Sequence, residues 1–158
     1  MKAMSVRIRV ARREDIDRIV EIERSWVHLS HWSVDAYRRL VNEDSFTSSM
    51  VAESEDPDGG LSIVGFVIFH VTDDSSEIYN IAVDESYSRS GIGTFLMQAV
   101  IDSILSNGAR RLMLEVRKSN ASAIKFYRRF KFRVVGERVD YYSNPVEDAF
   151  VMERDLRF

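Results

Sequence analysis

The sequence of 158 residues contains no cysteine. Disulfide staples, thiolate metal sites and a cysteine nucleophile are therefore excluded, and a reducing compartment is permitted. No stretch approaches the roughly 20 apolar residues that a membrane-spanning helix requires. Met1 to Val10 carries positive charge without the apolar segment of a secretory signal. The expectation is a cytoplasmic protein with no membrane partner. A basic block is missing as well, because 22 lysines and arginines are dispersed among 25 carboxylates for a formal net charge of -3. No direct nucleic-acid binding is expected from that distribution. No linker or repeat divides the chain, and 45% hydrophobic residues suffice for one ordinary core. Residues 1–158 read as a single domain.

What is present is an alternation of two periods. Ser5 to Ala11 alternates as a strand, and Ile16, Ile19, Val20 and Ile22 recur at helical spacing. A link carrying Trp26, His28, His31 and Trp32 follows, after which Ser33 is placed to cap a helix holding Val34, Tyr37, Leu40 and Val41. Phe46 to Glu53 and Leu61 to Val71 read as strands joined by the turn Glu55 to Gly60. Glu77 to Val83 is a strand. Gly91 to Ser106 is a helix with Ile92, Phe95, Leu96, Ala99, Val100 and Ile104 on its apolar stripe, stopped at Asn107-Gly108. Arg111 to Arg117 is a strand, Asn120 to Phe130 a helix, and Phe132 to Val139 and Ala149 to Leu156 are strands. The fold class is α/β (α+β), one mixed sheet with helices between its strands, and the two central strand–helix crossovers predict parallel pairing.

One turn carries chemistry. The strand Ile78 to Asp84 runs through Glu85 to Ser90 into Gly91-Ile92-Gly93-Thr94, which opens the long helix. The first turn of a helix leaves backbone N–H donors unpaired at the positive end of its dipole, and glycines let a phosphate approach them. Arg89 adds a charge. The same glycines would equally serve a tight turn and close helix packing. A third glycine of a dinucleotide fingerprint would fall at Leu96, and no Gly-Lys-Ser/Thr follows for a P-loop. Coenzyme A remains as the pyrophosphate ligand.

Tyr79-Asn80-Ile81-Ala82-Val83-Asp84 with Arg89-Ser90-Gly91-Ile92-Gly93 resembles the acetyl-CoA motif of GNAT acetyltransferases, with Ser88 where that family usually has Arg or Gln. Leu114-Glu115-Val116-Arg117-Lys118-Ser119-Asn120, continuing through Ala123 to Phe126-Tyr127, resembles the signature of the N-terminal acetyltransferase branch. That branch includes the bacterial ribosomal-protein alanine acetyltransferases. Tyr141-Tyr142 with Glu147-Asp148-Ala149 and Met152 resembles the branch's C-terminal hairpin. The resemblance implies a GNAT fold of about six to seven strands flanked by about four helices, with acetyl-CoA as cosubstrate. It assigns Glu115 as general base and Tyr127 as general acid. Cofactor contacts fall on Ile81, Ala82, Val83, Ser88, Arg89, Ser90, Gly91, Ile92, Gly93, Thr94, Asn120, Ser122 and Tyr127. A peptide slot falls on Trp32, Tyr79, Asn80, Tyr141 and Tyr142. It also implies that the strand ending at Val83 splays from the one carrying Glu115. No metal is implied.

The residues themselves leave alternatives open. Strand alternation puts Glu115 opposite Leu112, Leu114 and Val116, facing a cleft or an ion pair with Arg117 or a neighbour. Asn120 reads as a helix cap, with Tyr127 on its face of the helix as catalyst or core. His28 and His31 read as slot lining or solvated loop residues. An α-amine titrates at about 7.7–8.0 and a lysine at about 10.4, so a carboxylate base suits a protein N-terminus better. The expected partners are peptide or protein N-termini, with an auxiliary subunit or ribosome association possible in principle and a monomer or weak homodimer as the state. A lysine or small-amine acetyltransferase and a non-catalytic acyl-CoA-binding module are the alternatives.

Overall fold

In the computed structural model, which describes residues 4–29, 31–42 and 46–157, the alternating segments pair into one sheet. Its strands are β1 (Val6–Val10), β2 (Thr47–Glu55), β3 (Leu61–Val71), β4 (Ser76–Val83), β5 (Arg111–Arg117), β6 (Arg133–Tyr142) and β7 (Glu147–Asp155). They lie in the order β1-β2-β3-β4-β5-β7-β6. The helices are α1 (Ile16–Arg24), α2 (Val34–Asn42), α3 (Ile92–Ser106) and α4 (Ala121–Arg129), with short 3₁₀ turns at Arg13–Asp15 and Glu85–Tyr87. Residues 1–3 of the basic amino-terminal stretch and Ser30 of the Trp26–Trp32 link lie outside the described residues.

Only one of the two crossovers makes a parallel pair. β4 and β5 run parallel around α3, whereas β7 inserts antiparallel between β5 and β6. The hairpin that returns β7 beside β5 takes the place that a second parallel strand would have had. β6 also extends three residues past the expected Val139, through Tyr142. It is an edge strand, exposed along most of its length and interrupted by register shifts, so the apolar alternation that marks a strand is weak there.

Helices cover both faces. Ile16, Ile19, Val20 and Ile22 of α1 and Tyr37 of α2 pack on Val51, Phe66, Ile68 and Ala82. On the other face α3 places Ile92, Leu96, Met97, Val100, Ile101 and Ile104 over Val64, Val67, Phe69 and Ile78, joined by Ile124 and Tyr127 of α4. Phe95, expected on this stripe, is 54% exposed. Ile92, Leu96, Val100 and Ile104 follow at intervals of four with Met97 and Ile101 on one side of that row, and Phe95 falls on its other, outer side. β3 lies between the two layers, which is why Val64 to Phe69 is buried without alternation.

Close contact between α3 and the sheet depends on Gly65. A Cβ there would lie 3.1 Å from the Ala82 carbonyl oxygen, 3.1 Å from Leu96 Cδ1 and 3.2 Å from Ile92 Cγ2. Gly65→Ala is expected to lower unfolding free energy by about 1–3 kcal/mol through overpacking, measured by urea denaturation. An unaltered midpoint would show that α3 moves aside without loss.

Candidate active site

The sheet opens where β4 bends. Its register with β3 passes from Ile68 opposite Asn80 to Phe69 opposite Ile78, leaving Tyr79 as the extra residue of a bulge. A bulge kinks its strand and strengthens the local twist. Pairing with β5 accordingly stops early: Ser76 to Ile78 face Leu112 to Leu114, and the later residues of β4 have no β5 partner. The two strands part, so the splay is present.

The turn after β4 lies at one side of this parting. Asp84 caps the Glu85–Tyr87 turn through the Ser86 N–H at 2.8 Å, and it pairs with Arg18 of α1. Ser88 Oγ donates to the Glu85 carbonyl at 2.8 Å, and Ser90 Oγ donates to that of Tyr87. Arg89 and Gly91 both have left-handed backbone, φ 60 and 87. No side chain caps the start of α3 at Gly91. The first-turn N–H groups and the exposed Arg89 and Thr94 therefore form a site of positive character. The two glycines differ in purpose. Gly91 supplies its backbone conformation, and a Cβ on it would meet nothing within 4 Å, whereas a Cβ on Gly93 would sit 3.4 Å from the Phe126 ring of α4. That contact brings α3 and α4 together.

Asn120 caps α4 as expected, its Oδ1 accepting from the Ala123 N–H and from Ser122 Oγ, each at 3.3 Å. Seven residues on, Tyr127 is buried against Phe126 and Phe132. Burial holds its phenol well above the usual tyrosine range, so it keeps its proton. Ile81 and Val83 pack with the α3 layer, while Ala82 faces α1 and α2. The Val83 carbonyl already accepts the Trp26 indole N–H at 2.8 Å, so this one backbone group is used within the chain.

At the other side of the parting lies a cleft of about 300 Å³ lined by Trp32, Leu40, Glu77, Tyr79, Glu115, Tyr141 and Tyr142. Four of the five expected slot residues meet here, and so does Glu115. Asn80 does not line it. The bulge turns Asn80 beneath the cleft, where it is 5% exposed and donates to Tyr37 Oη at 3.0 Å and Glu23 at 3.4 Å. Glu115 pairs with Arg138 of β6 at 3.0 Å and not with Arg117. Arg117 is buried under the Tyr142 ring, 4.3 Å from its centroid, and donates to the Ser143 and Pro145 carbonyls, so it ties down the β6–β7 turn. The tyrosines pack edge to face at 5.0 Å. His28 is exposed, and His31 donates from its ring to the Trp26 carbonyl at 3.1 Å. Neither histidine lines the cleft.

Two carboxylates escaped the sequence reading. Glu77 faces Glu115 in the cleft, and burial together with the Glu115 charge pushes its carboxyl up to about 7. Its only sequence signal is a charge inside a strand. Glu23, fully buried, accepts from the Trp32 N–H at 3.0 Å, from Asn80 and from the Tyr37 hydroxyl. It thereby ties the Trp26–Trp32 link to α1, α2 and β4. Its sequence signal is an acid on the apolar face of α1.

Burial pushes Glu23 from an ordinary 4.5 up to about 7. The folded chain then holds an extra proton through that interval, and stability falls as pH rises across it. Glu23→Gln, neutral at every pH, is expected to lose that fall. The drop in unfolding free energy between pH 5 and pH 8, from urea melts, should shrink by about 1–3 kcal/mol relative to wild type. An equal drop in both proteins would remove Glu23 as its source.

Residues 10–132 match the acetyltransferase (GNAT) family. The chain is 34% identical over 145 residues to a Bacillus subtilis protein provisionally named [ribosomal protein bS18]-alanine N-acetyltransferase, covering 92% of each. The crystal structure of the ribosomal-protein-S18-alanine N-acetyltransferase from Escherichia coli superposes with TM-score 0.81 and 28% identity, over 96% of this chain and 94% of that one. Arabidopsis thaliana NAA60, solved in complex with acetyl-CoA, shares the fold at TM-score 0.84 and 20% identity, over 98% of this chain and 100% of that one. Among the described residues no helix is long and apolar enough to cross a membrane. With its matched segment, its sheet order and its parted central strands, the chain belongs to the GNAT acetyltransferase family.

Proposed function

We propose that this protein transfers the acetyl group of acetyl-CoA to the α-amino group of protein N-termini in the cytoplasm, within one domain, and that an N-terminal alanine of ribosomal protein S18 is among its substrates. The observation that carries this reading is the β4–β5 parting. It connects the uncapped start of α3 on one side with an aromatic cleft holding Glu115 on the other. The names of the B. subtilis and E. coli relatives support the choice of amine.

The residues present fit acetyl-CoA. Space in front of Gly91 is open, the α3 N–H groups have no side-chain cap, and β4 beyond Ile78 has no strand partner on its β5 side. Residues Ser88 to Thr94 would hold the pyrophosphate, with β4 from Ile81 to Val83 and Asn120 and Ser122 along the pantetheine arm. Acetyl-CoA supplies the activated acyl group. Glu115 takes a proton from the substrate ammonium, and Tyr127, which keeps its phenol proton, supplies one to the departing sulfur. Trp32, Tyr79, Tyr141 and Tyr142 wall the slot that orients the first substrate residues, a positioning effect that raises the local concentration of the amine.

The test is turnover of acetyl-CoA on short peptides with free N-termini, an Ala-first peptide among them, each matched with the same peptide blocked at the α-amine and carrying a lysine. Acetylation of the free N-termini alone is expected. Acetylation confined to lysine would move the assignment to a side-chain acetyltransferase, and binding of CoA without turnover would indicate a non-catalytic module.

A further inference from the structure

We propose that Glu77 and Glu115 form one acid–base unit that shares a proton across the β4–β5 parting and receives the ammonium proton of the substrate. The proposal rests on the amine-acetylating reading above and adds a residue that the family signature does not mark. Glu77 lies in the last stretch where β4 still pairs with β5, opposite Met113, and Glu115 lies one residue beyond the final pair, Ile78 with Leu114. The strands are therefore still close enough there for the two side chains to meet, yet already parting enough for a substrate to reach both.

Both carboxyl groups line the same cleft, from neighbouring strands two positions apart in the parallel register, Glu77 lying opposite Met113 and Glu115 two residues further along the same face of β5. Two carboxylates that share one partly buried cleft repel each other, and a proton held between them relieves that repulsion. The surroundings set how many protons the pair holds. Arg138 from β6 donates to Glu115 at 3.0 Å, and its charge opposes the rise of the Glu77 carboxyl. From β3, His70 stands opposite Glu77 in the register. Tyr141 and Tyr142 face the pair from the end of β6, both with phenols raised by burial and by Glu115. Leu40 closes the α2 side with an apolar surface. One cation against two acids leaves the cleft with an excess of negative charge, which favours a proton on the pair.

That behaviour suits the substrate. A protein α-amine titrates at about 7.7–8.0, and proton transfer is most effective when acid and base strengths are close to each other and to the working pH. The burial-raised Glu77 carboxyl, at about 7, falls in that range. The ammonium yields one proton to the open pair, which then holds it between the two oxygens. The nitrogen lone pair attacks the thioester carbon, the N–C bond forms and the C–S bond breaks. The second nitrogen proton balances the one taken by the CoA sulfur, and the pair releases the first proton to solvent.

The pH dependence of kcat/KM on an Ala-first peptide, for wild type and Glu77→Gln, tests this. The acid limb belongs to the pair as a whole. Glu77→Gln is expected to lower the maximum by roughly 10-fold and to move the acid limb down by about one pH unit, with KM for acetyl-CoA unchanged. A variant whose rate falls equally at every pH, or whose limb stays in place, would overturn the proposal. A second measurement separates it from the reading on which it rests: ¹³C NMR titration of the carboxyl carbons without substrate, in wild type and Glu115→Gln. A Glu77 midpoint that drops when the Glu115 charge is removed supports the shared proton even if no peptide is acetylated. A midpoint that stays in place overturns it.

Discussion

Glu115→Gln is expected to reduce kcat on free-N-terminal peptides by about 10²–10⁴-fold while leaving acetyl-CoA affinity within a few-fold. The substitution is close to isosteric, and the side chain is 13% exposed at the cleft wall, so no cavity forms. The strand is anchored from its other face, where Leu112, Leu114 and Val116 are buried under the α3 layer. A glutamine oxygen still accepts from Arg138, which preserves the β5–β6 contact. What it no longer does is accept the ammonium proton. The variant must then wait for the small fraction of amine that is already neutral, and this gives the loss a signature. Its rate should climb with pH until the peptide amine is fully deprotonated, at about pH 9, and so recover part of the deficit. Initial rates from pH 6 to 9.5 would show it. A variant as active as wild type at pH 7, or one whose deficit is the same at pH 9, would place the base elsewhere in the cleft.

The residues differ in how plainly the sequence shows their place. β5 runs over Arg111–Arg117 as its alternation indicates, and Asn120 caps α4, because both are set by local spacing. Gly91 is legible as the start of α3, but its left-handed backbone, φ 87, is not, because residues before a helix usually have extended backbone. The bulge at Tyr79 is different. It depends on how β3 and β4 slide past each other, and no property of Tyr79 or Asn80 alone marks it. From the bulge follow the parting of β4 from β5, which the family resemblance implies but no local spacing shows, and two features that were not legible, the burial of Asn80 under the cleft and the placing of Glu77 with Glu115 in one cleft. Arg138 belongs to the same class. It comes from an exposed edge strand of weak pattern, and only the β6–β7 register brings it to Glu115. Glu23 was hidden for another reason, since an acid on the apolar side of a helix reads as an imperfection of the stripe until Trp32, Tyr37 and Asn80 are seen to converge on it.

Tyr127→Phe is expected to lower kcat by about 10²-fold, without the recovery at high pH that marks the base variant. The ring is retained, and with it the packing on Phe126 and Phe132 at centroid distances of 5.6 and 5.8 Å, so unfolding free energy should change little. The loss is confined to the proton that meets the departing sulfur. A thiolate leaving group titrates at about 8.5 and leaves poorly without a donor at pH 7. Because burial keeps the Tyr127 phenol protonated above the ordinary tyrosine range, the wild-type rate should show no alkaline limb from this residue up to about pH 10. The Phe variant should therefore run parallel to wild type through the acid limb, displaced downward, and gain nothing at pH 9. In Glu115→Gln/Tyr127→Phe the combined loss should be smaller than the product of the single losses, since groups that move protons for one transition state act as a unit. Losses that simply multiply would mean that the two side chains serve separate steps. A single Tyr127→Phe variant with wild-type kcat would return the tyrosine to the core, where its burial alone would place it.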